Sequence, residues 1–173
     1  TYSGWVDSTG NIVVGYYDHE KKIIETHVLH KRFEKDDHDN PSFFMDGDGR
    51  LMVFYSKHGT GKSPIHLARA SKAESITDWE PVQLLPLNDT ITYAGLRDSY
   101  TYTNIVQLRE ERNRLYLFWR GADFKPNFSF SDDGGKNWEP GAILILPERI
   151  YQNRRPYMKV ASNKADVIHF AFT

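Results

Sequence analysis

The 173-residue sequence is 39% hydrophobic, 26% charged and 14% aromatic, which are the proportions of a soluble globular chain long enough to bury a sizeable core. Its 22 Lys and Arg against 23 Asp and Glu leave a formal charge of −1, disfavouring a general nucleic-acid or anionic-membrane surface. The absence of cysteine excludes disulfides, cysteine-held zinc, iron–sulfur clusters and thiol catalysis within this chain, and no apolar run approaches the roughly 20 residues of a membrane-spanning helix.

The chain opens Thr1-Tyr2-Ser3 with neither a methionine nor a basic and apolar leader, so any targeting segment is expected to lie outside it. Apolar residues rarely recur at helical spacing. Short alternating or fully apolar runs bounded by Gly, Asp, Asn and Pro predict strands over 12–17, 23–29, 42–45, 51–56, 65–70, 82–85, 104–108, 115–120, 127–131, 142–146, 157–161 and 167–172. Turn-forming strings such as Asp46-Gly47-Asp48-Gly49 and Asp132-Asp133-Gly134-Gly135 join them.

The runs repeat. His38-Asp39-Asn40-Pro41 leads to Leu51-Met52-Val53-Phe54-Tyr55-Ser56 as Tyr102-Thr103-Asn104-Ile105 leads to Leu115-Tyr116-Leu117-Phe118-Trp119-Arg120, with Asn40 to Ser56 and Asn104 to Arg120 both 16 positions apart. Asp78-Trp79-Glu80-Pro81 is echoed by Asn137-Trp138-Glu139-Pro140, a third copy begins at Arg155-Pro156-Tyr157, and a partial one precedes His38. Four strands per unit is the content of a propeller blade, whose sheet buries its faces only against neighbours. The expected fold is therefore all-β: a β-propeller of four-stranded antiparallel blades, here about 3.5 of them, with a partial blade over 1–37, blades over 38–86 and 100–147, and a partial blade over 154–173. An antiparallel sandwich competes, and the repeated Trp-Glu-Pro and equal spacings argue against it.

Ser131, Asp133, Gly135 and Trp138 fill the four fixed positions of the Asp-box pattern Ser-x-Asp-x-Gly-x-x-Trp, and 71–79 looks like a decayed copy. This hairpin is a structural device on the blade periphery, in which side-chain oxygens cap turn amides and Trp packs between sheets. Gly61-Lys62-Ser63 is not a phosphate loop, since Ser56 replaces the first glycine and Pro64 precedes a strand pattern. Asp46-Gly47-Asp48-Gly49 is not a calcium loop, since Lys57 stands where the bidentate glutamate belongs.

Blade topology gives other residues meaning. First strands start, and second strands end, on one face of a propeller. His38 and Tyr102 stand at equivalent entries to first strands, His58 and Arg120 at exits of second strands provided that the strand reaches His58, and Tyr157 enters the next unit. Taken alone, either histidine reads as a turn residue, or with the neighbouring aspartates as part of a metal cluster. Together the five converge on one rim. Tyr, His and Arg without an obvious carboxylate pair suit β-elimination at a uronate: the guanidinium pairs with the carboxylate, and Tyr or His groups remove the C5 proton and protonate the leaving oxygen.

Asp37-His38-Asp39-Asn40-Pro41-Ser42-Phe43, Val53-Phe54-Tyr55-Ser56-Lys57-His58, Tyr100-Thr101-Tyr102-Thr103-Asn104, Leu117-Phe118-Trp119-Arg120-Gly121 and Arg155-Pro156-Tyr157-Met158-Lys159-Val160 together resemble the BNR-repeat family that contains propeller-type ulvan lyases and related rhamnose–glucuronate lyases. The resemblance implies a seven-bladed propeller, a secreted or periplasmic bacterial protein and an acidic polysaccharide as partner. It implies that His38 and His58 form a histidine pair, that Tyr102 is the catalytic tyrosine and that Arg120 neutralises the carboxylate. Substrate contacts are expected at Asn40, Tyr100, Asn104, Arg155 and Tyr157, with Tyr100 competing with Tyr102 for the catalytic position. This chemistry needs no cofactor, and a structural calcium or zinc is not predicted. A sialidase and a glycan- or protein-binding propeller are the alternatives; the arginine triad and early Arg-Ile-Pro segment of the former are not visible. With incomplete units at each end, the chain is expected to be a segment of a longer propeller or to pair with a second copy.

Overall fold

The computed structural model describes residues 1–58, 63–88, 99–145 and 156–173. Its strands form four separate antiparallel sheets in which sequence neighbours are spatial neighbours. The first holds β1 (Tyr2–Val6), β2 (Ile12–Asp18) and β3 (Ile23–His30). Two four-stranded sheets follow: β4 (Ser42–Met45), β5 (Leu51–Tyr55), β6 (Ile65–Arg69) and β7 (Gln83–Leu85), then β8 (Thr101–Leu108), β9 (Arg114–Arg120), β10 (Pro126–Ser131) and β11 (Ala142–Ile143). A hairpin of β12 (Met158–Ser162) and β13 (Ile168–Phe172) ends the series. These up-and-down sheets are propeller blades, as the repeats predict. β1 is an addition: Gly4 interrupts its apolar alternation, and glycine is required there because a Cβ would run into the Phe43 ring and Pro41 of the next blade.

β5 explains why blades stack. All five of its residues are buried, and strand alternation sends Met52 and Phe54 into one core with Leu67, Leu115, Leu117 and Trp119, and Leu51, Val53 and Tyr55 into another with Ile12, Val14, Ala68 and Ile76. The second blade is thus packed on both faces. Ser42 Oγ donates to Thr103 Oγ1 at 3.2 Å, and Thr103 Oγ1 donates to Phe54 O at 3.1 Å, pinning β8 to β4 and β5 near the inner edge.

The Asp box forms as expected. Asp133 Oδ1 accepts from the amides of Lys136 and Asn137 at 3.0 and 2.9 Å, Ser131 Oγ accepts from Gly135 N at 2.9 Å, and Trp138 packs edge-on against Phe54. Burial alone would raise Asp133, but these donors hold its carboxyl down at about 2. The 71–79 copy keeps the same skeleton: Trp79 Nε1 donates to Ile76 O as Trp138 Nε1 does to Gly135 O, and the amides of Glu80 and Glu139 both donate to third strands, at Arg69 O and Phe130 O. The box lies away from the predicted rim, since on β10 Ser131 pairs with Leu115 whereas Pro126, at the other end, pairs with Arg120.

Candidate functional site

The site starts at Asp36. Its backbone is extended, and its side chain caps the 3-10 turn Asp37–Asp39 by accepting from His38 N at 2.9 Å. The same carboxylate reaches two imidazoles: Oδ1 accepts from His38 Nδ1 at 2.5 Å and Oδ2 from His58 Nδ1 at 2.8 Å. The two rings stack with centroids 3.8 Å apart and planes within 1°. Burial alone would raise Asp36, but the His38 amide and the two rings hold it at about 2, which makes it an acceptor near neutral pH.

His58 arrives by a route other than the expected one. β5 ends at Tyr55, short of His58, so strand parity does not aim it. Its amide instead donates to Glu34 Oε2 at 2.7 Å and its ring to Asp36. His38 likewise sits in the 3-10 turn before β4 rather than at a strand entry.

Tyr102 and His38 are not in equivalent register either. Ser42 pairs with Phe54, 12 positions on, whereas Asn104 pairs with Phe118, 14 positions on, so the third blade's hairpin is two residues longer and the equal 16-residue spacing is a coincidence of compensating loops. What brings Tyr102 to the site is a bulge: the register of β8 shifts between Thr101 and Asn104, and Tyr102 takes a left-handed φ of 57°. Its ring centroid then lies 5.2 Å from His38 and 5.7 Å from Tyr157.

Arg120 is the last residue of β9 and is almost fully buried. Its Nε donates to Thr101 Oγ1 at 3.1 Å, and its guanidinium carbon stands 4.8, 5.3 and 5.6 Å from the rings of Tyr102, Phe124 and Tyr157. Three aromatic faces therefore hold a charge largely removed from water. Burial also raises the Tyr102 phenol above its usual value, with Arg120 opposing and Tyr157 and Asp37 assisting, so at neutral pH this side chain keeps its proton. Tyr102, Arg120, Tyr157, Trp119 and Pro156 line a recess of about 10 Å³, room for a single water.

Beneath the histidines stands Asp39, buried, with burial first and then the Glu34 and Asp36 carboxyls pushing it up to about 8. Both Asp39 oxygens are buried without a hydrogen-bond partner, so the carboxyl is held in its neutral form near neutral pH.

Other expected contacts fall elsewhere. Tyr100 is a core residue: its ring stacks on Trp119 at 6.1 Å and its hydroxyl accepts from Asn88 N at 2.6 Å, away from the rings that surround Arg120. Asn40 is a joint between blades, accepting from Val6 N and donating to Asp37 O. Asn104 lines a separate 580 Å³ cavity with Phe43, Arg109 and Lys164. Arg155 lies outside the described residues. Asp36, Thr101 and Phe124 were not anticipated; the Asp36-x-His38 spacing at a turn was the one signal available for the first.

Among the described residues, Asp36, His38 and His58 also offer three ligand atoms within 4.8 Å of one another. Imidazole ligates in its ring plane, and two parallel rings stacked face to face do not direct their lone pairs at one ion. With both Asp36 oxygens engaged by ring N–H groups, the geometry fits a hydrogen-bonded acid–base cluster rather than a chelate.

The family described as BNR repeat-containing matches residues 1–173. A ulvan lyase of Alteromonas sp. (strain LOR) is 27% identical over 128 residues, covering 66% of this chain and 24% of that protein. Two solved ulvan lyase structures, described as a new family of polysaccharide lyase, superpose on 99% of this chain and 42% of theirs. One, bound to -[GlcA(1-4)Rha3S]-, has a TM-score of 0.72 at 17% identity, and the other a TM-score of 0.71 at 18%. At such identities the structural likeness establishes the propeller fold. The chain spans less than half the length of these relatives.

Proposed function

The chain belongs to the BNR repeat-containing family, and from that premise we propose that it carries the catalytic rim of a polysaccharide lyase that cleaves a uronate-containing polymer of the ulvan type by β-elimination. The observation that carries this reading is Arg120 seated among Tyr102, Tyr157 and Phe124, beside a carboxylate-linked histidine pair. A uronate carboxylate paired with Arg120 gains most where charge builds up on it, as the C5 proton leaves. His38, whose Nδ1 carries hydrogen, offers Nε2 to take that proton, and the electron pair of the C5–H bond forms the C4–C5 double bond as the C4–O4 bond breaks. Tyr102, kept as a phenol, donates its proton to the departing O4. Tyr157, half-exposed at the mouth of the recess, supports a sugar ring.

Among the described residues a single arginine lines the recess, which favours uronate elimination over a sialidase built on three anion-binding arginines. No helix of the described residues is long and apolar enough to cross a membrane. A polymer substrate places the enzyme outside the cytoplasm. Incubating the complete protein with ulvan, gum-arabic-type glycans and sialosides tests the reading. Ultraviolet absorbance of an unsaturated uronate from one of the acidic polysaccharides is expected; released sialic acid, or binding without product, overturns it.

A further inference from the structure

One carboxylate serves both imidazoles of the stacked pair, and the chemistry of that contact is unequal to a neutral substitute. We infer that Asp36 is the positioning residue of the site, holding His38 and His58 in the same Nδ1–H tautomer so that each ring keeps Nε2 as its acceptor. The inference rests on the uronate-lyase reading for its catalytic consequence and on geometry alone for the tautomers.

Each contact has a defined direction. Oδ1 accepts from the His38 amide at 2.9 Å as well as from the His38 ring, and Oδ2 faces the His58 ring at 2.8 Å. A carboxylate accepts on both sides, so neither ring can turn its Nδ1 lone pair toward it. The remaining neighbours do not replace it at His58: the Glu34 carboxylate is engaged by the His58 amide, and Asp39 is buried beneath. His38 has a second acceptor, the exposed Asp37 Oδ1, 3.0 Å from its Nδ1. Tyr102, and beyond it Arg120 and Tyr157, complete the charged and titratable surroundings. His58 therefore depends on Asp36 more than His38 does.

Asp36→Asn separates this role from a structural one. Asparagine caps a turn about as well as aspartate, and the His38 amide fixes its orientation: Oδ1 stays toward His38, and the amide Nδ2–H₂ replaces Oδ2 facing His58. His58 must then accept at Nδ1 and carry its hydrogen on Nε2. The experiment is ¹⁵N NMR of the imidazole nitrogens in the complete protein, assigned with His38→Gln and His58→Gln, alongside steady-state elimination kinetics and thermal melting. In the wild type both rings are expected as Nδ1–H. In Asp36→Asn the His58 ring is expected to reverse while His38 does not, with kcat reduced by about 10-fold or more because the imidazolium that forms on His38 loses its carboxylate counter-charge, and KM little changed. Asp36→Glu, which restores a carboxylate, is expected to return the wild-type tautomers and part of kcat. An unreversed His58 in Asp36→Asn, or wild-type kcat in that variant, overturns the inference. Absence of elimination by the wild type with the tautomers as stated sinks the lyase reading and leaves the positioning by Asp36 standing.

Discussion

Arg120 and Asp39 are buried ionisable groups treated in opposite ways. The guanidinium of Arg120 is accommodated by three rings and Thr101, whereas burial first, and then the Glu34 and Asp36 carboxyls, push Asp39 towards its neutral form. The Asp39 carboxyl is raised, so the folded protein holds a proton that the unfolded chain releases above the usual carboxylate value near 3.8. Its burial therefore costs nothing extra near pH 4, costs progressively more as pH rises to about 8, and changes no further above that. Asp39→Asn keeps the shape of the side chain without the charge. Its melting temperature should match the wild type near pH 4 and exceed it at pH 8; equal melting at both would show that folding does not raise the Asp39 carboxyl. Asp36 runs the other way, being depressed: its contribution is present above the ordinary carboxylate value and is lost as pH falls toward 2. Arg120 was legible as the end of a second strand and Tyr157 as the entry to the next unit, whereas His38 and Tyr102 reach the rim by a 3-10 turn and a bulge and not by the equivalent register that the repeats suggest. Asp36 was not legible, because only the turn geometry says which of the neighbouring Asp36, Asp37 and Asp39 reaches both imidazoles.

Most strands were legible to within a residue or two because turn residues bound them, though β8 starts three residues before the expected 104, β11 ends at Ile143 and β1 was missed; the hairpin that closes the Asp box was legible from four fixed positions. The bulge in β8 was not. It shows only when the pairing of Thr101 with Arg120 is set against that of Asn104 with Phe118, and the two-residue difference in hairpin length between the blades is likewise hidden by the equal 16-residue spacing. The Asp box makes a separable prediction. Gly134 and Gly135 both have positive φ, 73° and 84°, but a Cβ on Gly134 would meet open space whereas one on Gly135 would lie 2.6 Å from Met52 Cε of the second blade. Gly134→Ala should cost about 1 kcal/mol from conformation alone. Gly135→Ala should cost that plus the shift of Met52 in a packed core, about 2 kcal/mol together. Chemical denaturation of both variants measures the difference, and equal losses would mean that the box does not grip the neighbouring blade. Elimination activity should survive both changes, since the box and Arg120 lie at opposite ends of β10.

Stacked blades are stabilised from both sides, and the four sheets differ in how far that is achieved. β5 is buried throughout, while Ile24 in β3 is 72% exposed and Phe172 in β13 is 59% exposed. Hydrogen exchange of this chain should accordingly be slowest in β5 and β9 and fastest in β3, β12 and β13; uniform protection across all four sheets would contradict the stacking account. The same stacking builds the rim, for His38 and His58 come from the second blade, Tyr102 and Arg120 from the third, and Tyr157 from the hairpin after it. No single blade holds the site, so its chemistry belongs to the assembled propeller. The most direct test is to follow unsaturated-uronate absorbance when the complete protein acts on ulvan, comparing wild type with Arg120→Ala and Tyr102→Phe. Loss of about 10²–10³ in kcat for Arg120→Ala and about 10²–10⁴ for Tyr102→Phe, with both variants folded, is the predicted result. Full elimination activity in either variant would contradict it.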